Sequence, residues 1–380
     1  MSAEVADTER AGSKLTKKLF AVCAAAGLLL SLAGSTAAHD EKSENPGEKI
    51  ERSFPVDPQA VVTLCVASGT LRVRGTDKTE VRVRSLDAQQ IDFHRIDKPK
   101  DPSKPAARVD VMVFDKRAVA NPKFDCQALA SVEMEVPAGA TVQVQTRDGD
   151  IMISGVAGAY AGSQNGDIVI DRASKLVEAG SVGGSIVLRD SSGRVNLNSA
   201  GGGVEATNIR PTAEDDTFEV GTVSGDIQLN RVSNPKVTAK TVNGTMTMAG
   251  PLAKSGSYGF TNVSGDIVLA MPHDASFQLN AKISDKHDIV SDFALKYLAE
   301  PPPPPPAKPR TAAPETKSKP PAVKVQSAPK TGGPVVAPIV VEKRMMTVQY
   351  PLRRISAVCG SGDATISIAS FGGTVRLKKI

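Results

Sequence analysis

The sequence predicts an all-β chain, a parallel β-solenoid with coils of roughly 17 to 23 residues, interrupted near its end by a Pro/Lys-rich insert. Three observations predict it. A Gly-Asp-Ile-x-Ile pattern or a close variant recurs with its glycines at Gly149, Gly166, Gly184, Gly202, Gly225, Gly244 and Gly265, spaced 17, 18, 18, 23, 19 and 21 residues apart. That is an internal repeat. Ahead of each of these glycines from Gly184 onward lies a second alternating segment, such as Val177-Glu178-Ala179-Gly180-Ser181 or Phe218-Glu219-Val220-Gly221-Thr222. Neither strand of such a pair can bury its apolar side alone, so coil must stack on coil. Finally, 32 Gly, 4% aromatic residues and no Trp point to a core of small, largely β-branched side chains.

In chain order, residues 1–38 read as a secretory signal. Lys14, Lys17 and Lys18 precede an apolar run over 19–33, and Thr36-Ala37-Ala38 supplies the small residues of a cleavage site after Ala38. The run is shorter than the roughly 20 residues that span a bilayer, and Ser35 stands where a lipidated Cys would have to be. No transmembrane helix is expected in the mature chain, which would be exported to the periplasm, the cell envelope or the medium. Residues 39–49 form a polar, disordered lead-in. Cys23 leaves with the signal, so Cys65, Cys126 and Cys359 remain. In an oxidising compartment this allows one pair and one free thiol. A Cys65–Cys126 bridge is preferred because both lie in the N-terminal portion, with three unpaired buried thiols as the alternative. His39, His94, His273 and His287 form no ligand-spaced cluster with the cysteines, so neither metal nor cofactor is expected.

Residues 50–145 read as N-terminal coils, with Gly69-Thr70-Leu71-Arg72-Val73 a degenerate copy of the repeat. Arginines alternate along 71–84, which fits a solvated strand face better than a polyanion site. Residues 146–299 hold the regular repeats. Ile151 and Ile153, Ile168 and Ile170, and Ile186 and Leu188 should point inward as columns, facing Val177 and Ala179, Val195 and Leu197, and Phe218 and Val220. Two strands per coil suggest a flattened two-sheet roll, with a triangular three-strand coil as the alternative. The recurring glycines, together with Gly362 near the C-terminus, are expected to serve tight turns that tolerate positive φ. The Asp, Ser or Thr that follows would hydrogen-bond nearby turn amides.

Asp150 and Asp167 stand one coil apart, close enough for a carboxylate pair. The next coils carry Ser185 and Gly203, and no His, Arg or Lys recurs in register, so structural turn residues are the preferred reading and no catalytic residue is assigned. The middle residue of the pattern faces outward. Met152, Val169 and Val187 should therefore form an apolar stripe on three successive coils, a candidate partner surface.

The repeats, the Val-Pro-Ala-Gly-Ala-Thr-Val turn over 136–142, the turn over 271–277, the segment 289–293 and the terminal Gly362-Asp363-Ala364-Thr365-Ile366 resemble an adhesin-like domain family of bacterial envelope proteins, over roughly 50–380. The resemblance implies a right-handed β-solenoid and export, makes 288–298 extended rather than helical, and brings no catalytic residues.

The chain departs from that family at residues 300–344, an insert expected to be disordered or polyproline II. It holds 13 of the 26 prolines and eight basic against three acidic residues, a net +5 equal to that of the whole chain. It is either a tolerated insertion or a tether for anionic envelope polymers or headgroups. Residues 345–380 return as closing coils. Nucleic acid is not an expected partner. Three functions fit: an envelope scaffold or adhesion module, a β-helix enzyme acting on an acidic polysaccharide, and a sensor or assembly component.

Overall fold

A strand that alternates apolar and polar residues offers one face for burial. In the computed structural model that face is buried by stacking parallel strands in two facing sheets. The structure describes residues 49–97, 103–115, 126–298 and 352–380. The signal over 1–38, nearly all of the lead-in, the insert and the strand expected at 345–350 lie outside them. All regular elements among the described residues are strands.

Each regular coil contributes one strand to each sheet, which decides for the two-sheet roll. The first sheet stacks the Gly-Asp-Ile strands Ile151–Ser154, Ile168–Asp171, Ile186–Arg189, Val204–Ile209, Ile227–Val232, Met246–Ala249 and Ile267–Met271. The second stacks Thr141–Asp148, Gly158–Ser163, Leu176–Ser181, Arg194–Ser199, Thr217–Ser224, Lys236–Asn243 and Ser257–Ser264. Register is kept residue for residue, so Ile151, Ile168, Ile186, Val204, Ile227, Met246 and Ile267 form one buried column. The predicted opposing column, Val177, Val195 and Phe218, continues into Val237 and Tyr258. Each such side chain contributes about 1.5–3 kcal/mol relative to exposure.

The ends break sequence order. The strands Leu352–Cys359 and Ala364–Ser370 belong to the second sheet, and Val375–Lys379 to the first. Ala364–Ser370 lies parallel between Ser257–Ser264 and Phe277–Ser284. Val375–Lys379 likewise lies between Ile267–Met271 and Ile289–Ser291. The last coil in sequence is thus inserted between two coils that are consecutive in the chain. The N-terminus repeats the device. The 19-residue strand Ile50–Ser68 crosses from the first sheet into the second, where it sits between Ala106–Phe114 and Thr141–Asp148. Leu71–Thr76 sits between Val132–Pro137 and Ile151–Ser154.

Antiparallel strands cap both ends. Glu80–Ser85 and Gln90–Arg95 do so at one end, Leu352–Cys359 and Lys296–Tyr297 at the other. The exposed first-sheet edge at the far end is the three-residue strand Ile289–Ser291, too short to recruit other strands readily. Residues 289–297 hold two short strands, Ile289–Ser291 and Lys296–Tyr297, on either side of a bend at Asp292 and Phe293, and no helix, in line with the family resemblance.

Candidate functional site

The turns joining the second sheet to the first carry the repeat signature. Its glycines owe their identity to close approach. A Cβ on Gly166 would overlap the carbonyl oxygen of Gly149, and the same relation links Gly184 to Gly166, Gly202 to Gly184, Gly225 to Gly202, Gly244 to Gly225 and Gly265 to Gly244. Only some of the column, such as Gly265 at φ +120°, also needs a left-handed backbone. The expectation that positive φ explains the column is corrected accordingly. Gly362 does not belong to it: its turn leads into a second-sheet strand, and the column's last member is Gly373, set against Gly265.

The turn carboxylates link coils. Asp150 Oδ1 accepts the Asp167 amide at 3.0 Å, Asp167 Oδ1 accepts the Ser185 amide at 2.8 Å, and Asp226 Oδ1 accepts the Thr245 amide at 2.7 Å. Beneath them runs a buried polar ladder that the sequence reading missed. The hydroxyls of Ser163, Ser181, Ser199, Thr222 and Thr241 donate to the carbonyls of Gly149, Gly166, Gly184, Gly202 and Gly225, at 3.0–3.3 Å. Its signal was the Ser or Thr three residues before each of Gly166, Gly184, Gly202, Gly225 and Gly244.

A shallow cavity of about 300 Å³ is lined by Asp150, Asn165, Gly166, Asp167, Gly183 and Gly184. Asn165 Nδ2 donates to Asp148 Oδ1 at 2.7 Å. The Arg147 guanidinium, then Asn165, hold the Asp148 carboxyl below its usual range. Among the described residues no group of three or more His, Cys, Asp or Glu is placed to hold a metal ion. No cationic side chain lines the cavity.

The outward stripe is in register, Met152 beside Val169 and Val169 beside Val187, with Arg72 and Glu205 at its ends. Met152 is 38% exposed, while Val169 and Val187 are half-buried. A longer apolar ladder on the second sheet escaped the sequence reading: Val182, Val223, Val242 and Val263 are 48%, 44%, 41% and 46% exposed. Its signal was the Val just before the turn in three of the four Gly-Asp or Gly-Thr repeats from 222 onward.

The Arg82 and Arg84 face is neutralised from within. Arg84 pairs with Glu51 at 3.0 Å and Glu135 at 3.2 Å, and Arg82 with Glu80 at 2.8 Å. Cys65 and Cys126 form a disulfide with Cα atoms 5.0 Å apart, and Cys359 is free and half-buried. No helix among the described residues is long and apolar enough to cross a membrane.

No curated protein matches the chain. Solved structures do resemble it. A candidate adhesin from Parabacteroides merdae is 10% identical over 60% of this chain and 90% of that one, at TM-score 0.39. A candidate lipid-binding protein from Parabacteroides distasonis is 14% identical over 59% and 90%, at TM-score 0.37. A candidate cell adhesion protein from Clostridium sporogenes is 7% identical over 88% and 100%, at TM-score 0.19. The Toastrack DUF4097 family model matches residues 63–293, the span that holds the glycine column from Gly69 to Gly265, and the chain belongs to that family.

Proposed function

We propose that the chain is an exported, non-enzymatic β-solenoid that serves as an envelope scaffold or as an adhesion and interaction module. One observation carries this reading: the turn carboxylates already accept coil-to-coil amides, whereas the outward rungs stand in register with Met152 exposed and Val169 and Val187 only half-buried. A regular ladder of apolar side chains between Arg72 and Glu205 suits a flat macromolecular partner better than a small substrate, which needs a concave site. Residues 1–38 supply export, and the basic insert over 300–344 adds attraction to anionic envelope polymers.

Cosedimentation of the purified mature chain with isolated envelope fractions tests the reading. Binding should fall on Val169→Lys with Val187→Lys, and its salt dependence should fall on deletion of 301–338. Binding unchanged by both alterations would sink it.

A further inference from the structure

The outer face of the second sheet has an order of its own. Its last outward column runs Val182, Ala200, Val223, Val242, Val263, Phe371 over six stacked strands. Each follows directly on the paired residues Ser181, Ser199, Thr222, Thr241, Asn262 and Ser370. The four valines are between 41% and 48% exposed. At a strand spacing of about 4.8 Å the ladder is roughly 24 Å long.

Charge on the same face is divided along the stack. Glu178 and Glu219 occupy the earlier half, and Lys240 and Lys282 the later half, all four exposed. The change of sign falls between the strands Thr217–Ser224 and Lys236–Asn243. The middle of the apolar ladder, between Val223 and Val242, falls at the same place.

We propose that this face is a self-association surface on which a second copy of the chain packs about a two-fold axis parallel to the strands, passing between Val223 and Val242. Such an axis reverses the stack and keeps each column opposite itself. The valine ladder meets the valine ladder, and the strand carrying Glu219 lies over the other copy's strand carrying Lys240, with the two charges diagonal to one another. Of the remaining cations, Arg194 is held 3.8 Å from Asp215 on its own chain, and Lys236 comes opposite the strand that begins with Thr217.

Period and area both favour a second copy. An occupant with the same strand spacing matches every rung, whereas a helix advancing about 5.4 Å per turn slips by roughly 3 Å over five rungs. The eight second-sheet strands from Gly158–Ser163 to Phe277–Ser284, four on each side of the axis and each about 20 Å long, cover roughly 800 Å², the area a stable partner interface needs on each side. The apolar ladder then supplies the interface core and the Glu/Lys halves its polar rim. This inference uses neither the Met152 stripe nor export, so either can fail alone.

Sedimentation velocity over a concentration series of the purified mature chain decides it. The parent should show a reversible monomer–dimer equilibrium. Val242→Asp should weaken it at least tenfold, and Val242→Thr, which keeps the β-branched shape, by a smaller factor. Glu219→Lys alone and Lys240→Glu alone should each weaken it by about tenfold, and the double exchange should bring it back to within a few-fold of the parent. Unchanged thermal midpoints of the dilute monomers keep the fold out of the comparison. A monomer at every concentration, or a dimer indifferent to Val242→Asp, overturns the proposal. So does a double exchange no stronger than the single variants.

Discussion

Asp266 accepts the backbone amide of Thr374 on Oδ1 at 2.8 Å across 108 residues of sequence. It is the same bond that Asp226 makes to Thr245 only 19 residues away. The C-terminal coil therefore occupies the position that the next repeat would take. Ending the chain after Asp363 removes the buried Ile366, Ile368, Val375 and Leu377. Each loss costs about 1.5–3 kcal/mol and leaves edges unpaired on both sides of the gap. Hydrogen exchange should show residues 277–298 unprotected in this truncation, whereas Asp266→Ala alone should cost about 1 kcal/mol by urea denaturation.

Gly225→Ala and Gly180→Ala make a matched pair. The first drives a methyl into the carbonyl of Gly202 and should cost about 3 kcal/mol or more. The second meets nothing closer than 3.9 Å and should be neutral or stabilising by about 0.5 kcal/mol, since glycine is a poor strand residue. Equal urea midpoints for the two variants would contradict the close-approach account of the column.

The Cys65–Cys126 bridge joins the inserted strand Ile50–Ser68 to the chain 61 residues later. Replacing both cysteines by Ser should lower stability by about 4 kcal/mol, the loop-closure value for a ring of this size. Under denaturing, non-reducing conditions alkylation should mark Cys359 and neither Cys65 nor Cys126.

Asp216 closes the loop that makes its coil the longest of the regular repeats. Burial raises its carboxyl pKa, but hydrogen bonds from the Thr212 amide and hydroxyl and from the Ala213 amide, at 2.7, 2.7 and 2.8 Å, outweigh it and leave the carboxyl below its usual value. A depressed folded pKa gives stability that is full above the unfolded value of about 3.9 and is lost as pH falls through the folded one. Asp216→Asn should be less stable than the parent at pH 7, and the difference should shrink below about pH 4 in urea midpoints.

Deleting 301–338 should leave the fold intact. The chain before and after it is already paired, Lys296 with Val358 and Tyr297 with Ala357, and the Leu298 amide donates to the Ser356 carbonyl at 2.8 Å. A shorter loop suffices to join them, and loop length has a small effect on stability. A lowered thermal midpoint would show that the insert packs on the stack.

The period-two alternation and the spacing of the glycines determined, from sequence alone, the two-sheet solenoid as the preferred architecture, its inward columns and the outward position of Met152, Val169 and Val187. These are local properties: alternation decides which side chain goes in, and a Gly every 17 to 23 residues decides where the chain turns. The tertiary structure alone decided which coil lies on which. One coil's strand ladder accepts any other in register, so nothing local tells Ala364–Ser370 to enter between Ser257–Ser264 and Phe277–Ser284, or Leu71–Thr76 to lie between Val132–Pro137 and Ile151–Ser154. The same holds for Gly362, which reads as a repeat glycine although its neighbours place Gly373 in the column. It holds also for the end of the valine ladder, whose last rung, Phe371, arrives from the far end of the chain. Repetition specifies the coil, and the pairing of edges across long separations specifies the order of the stack.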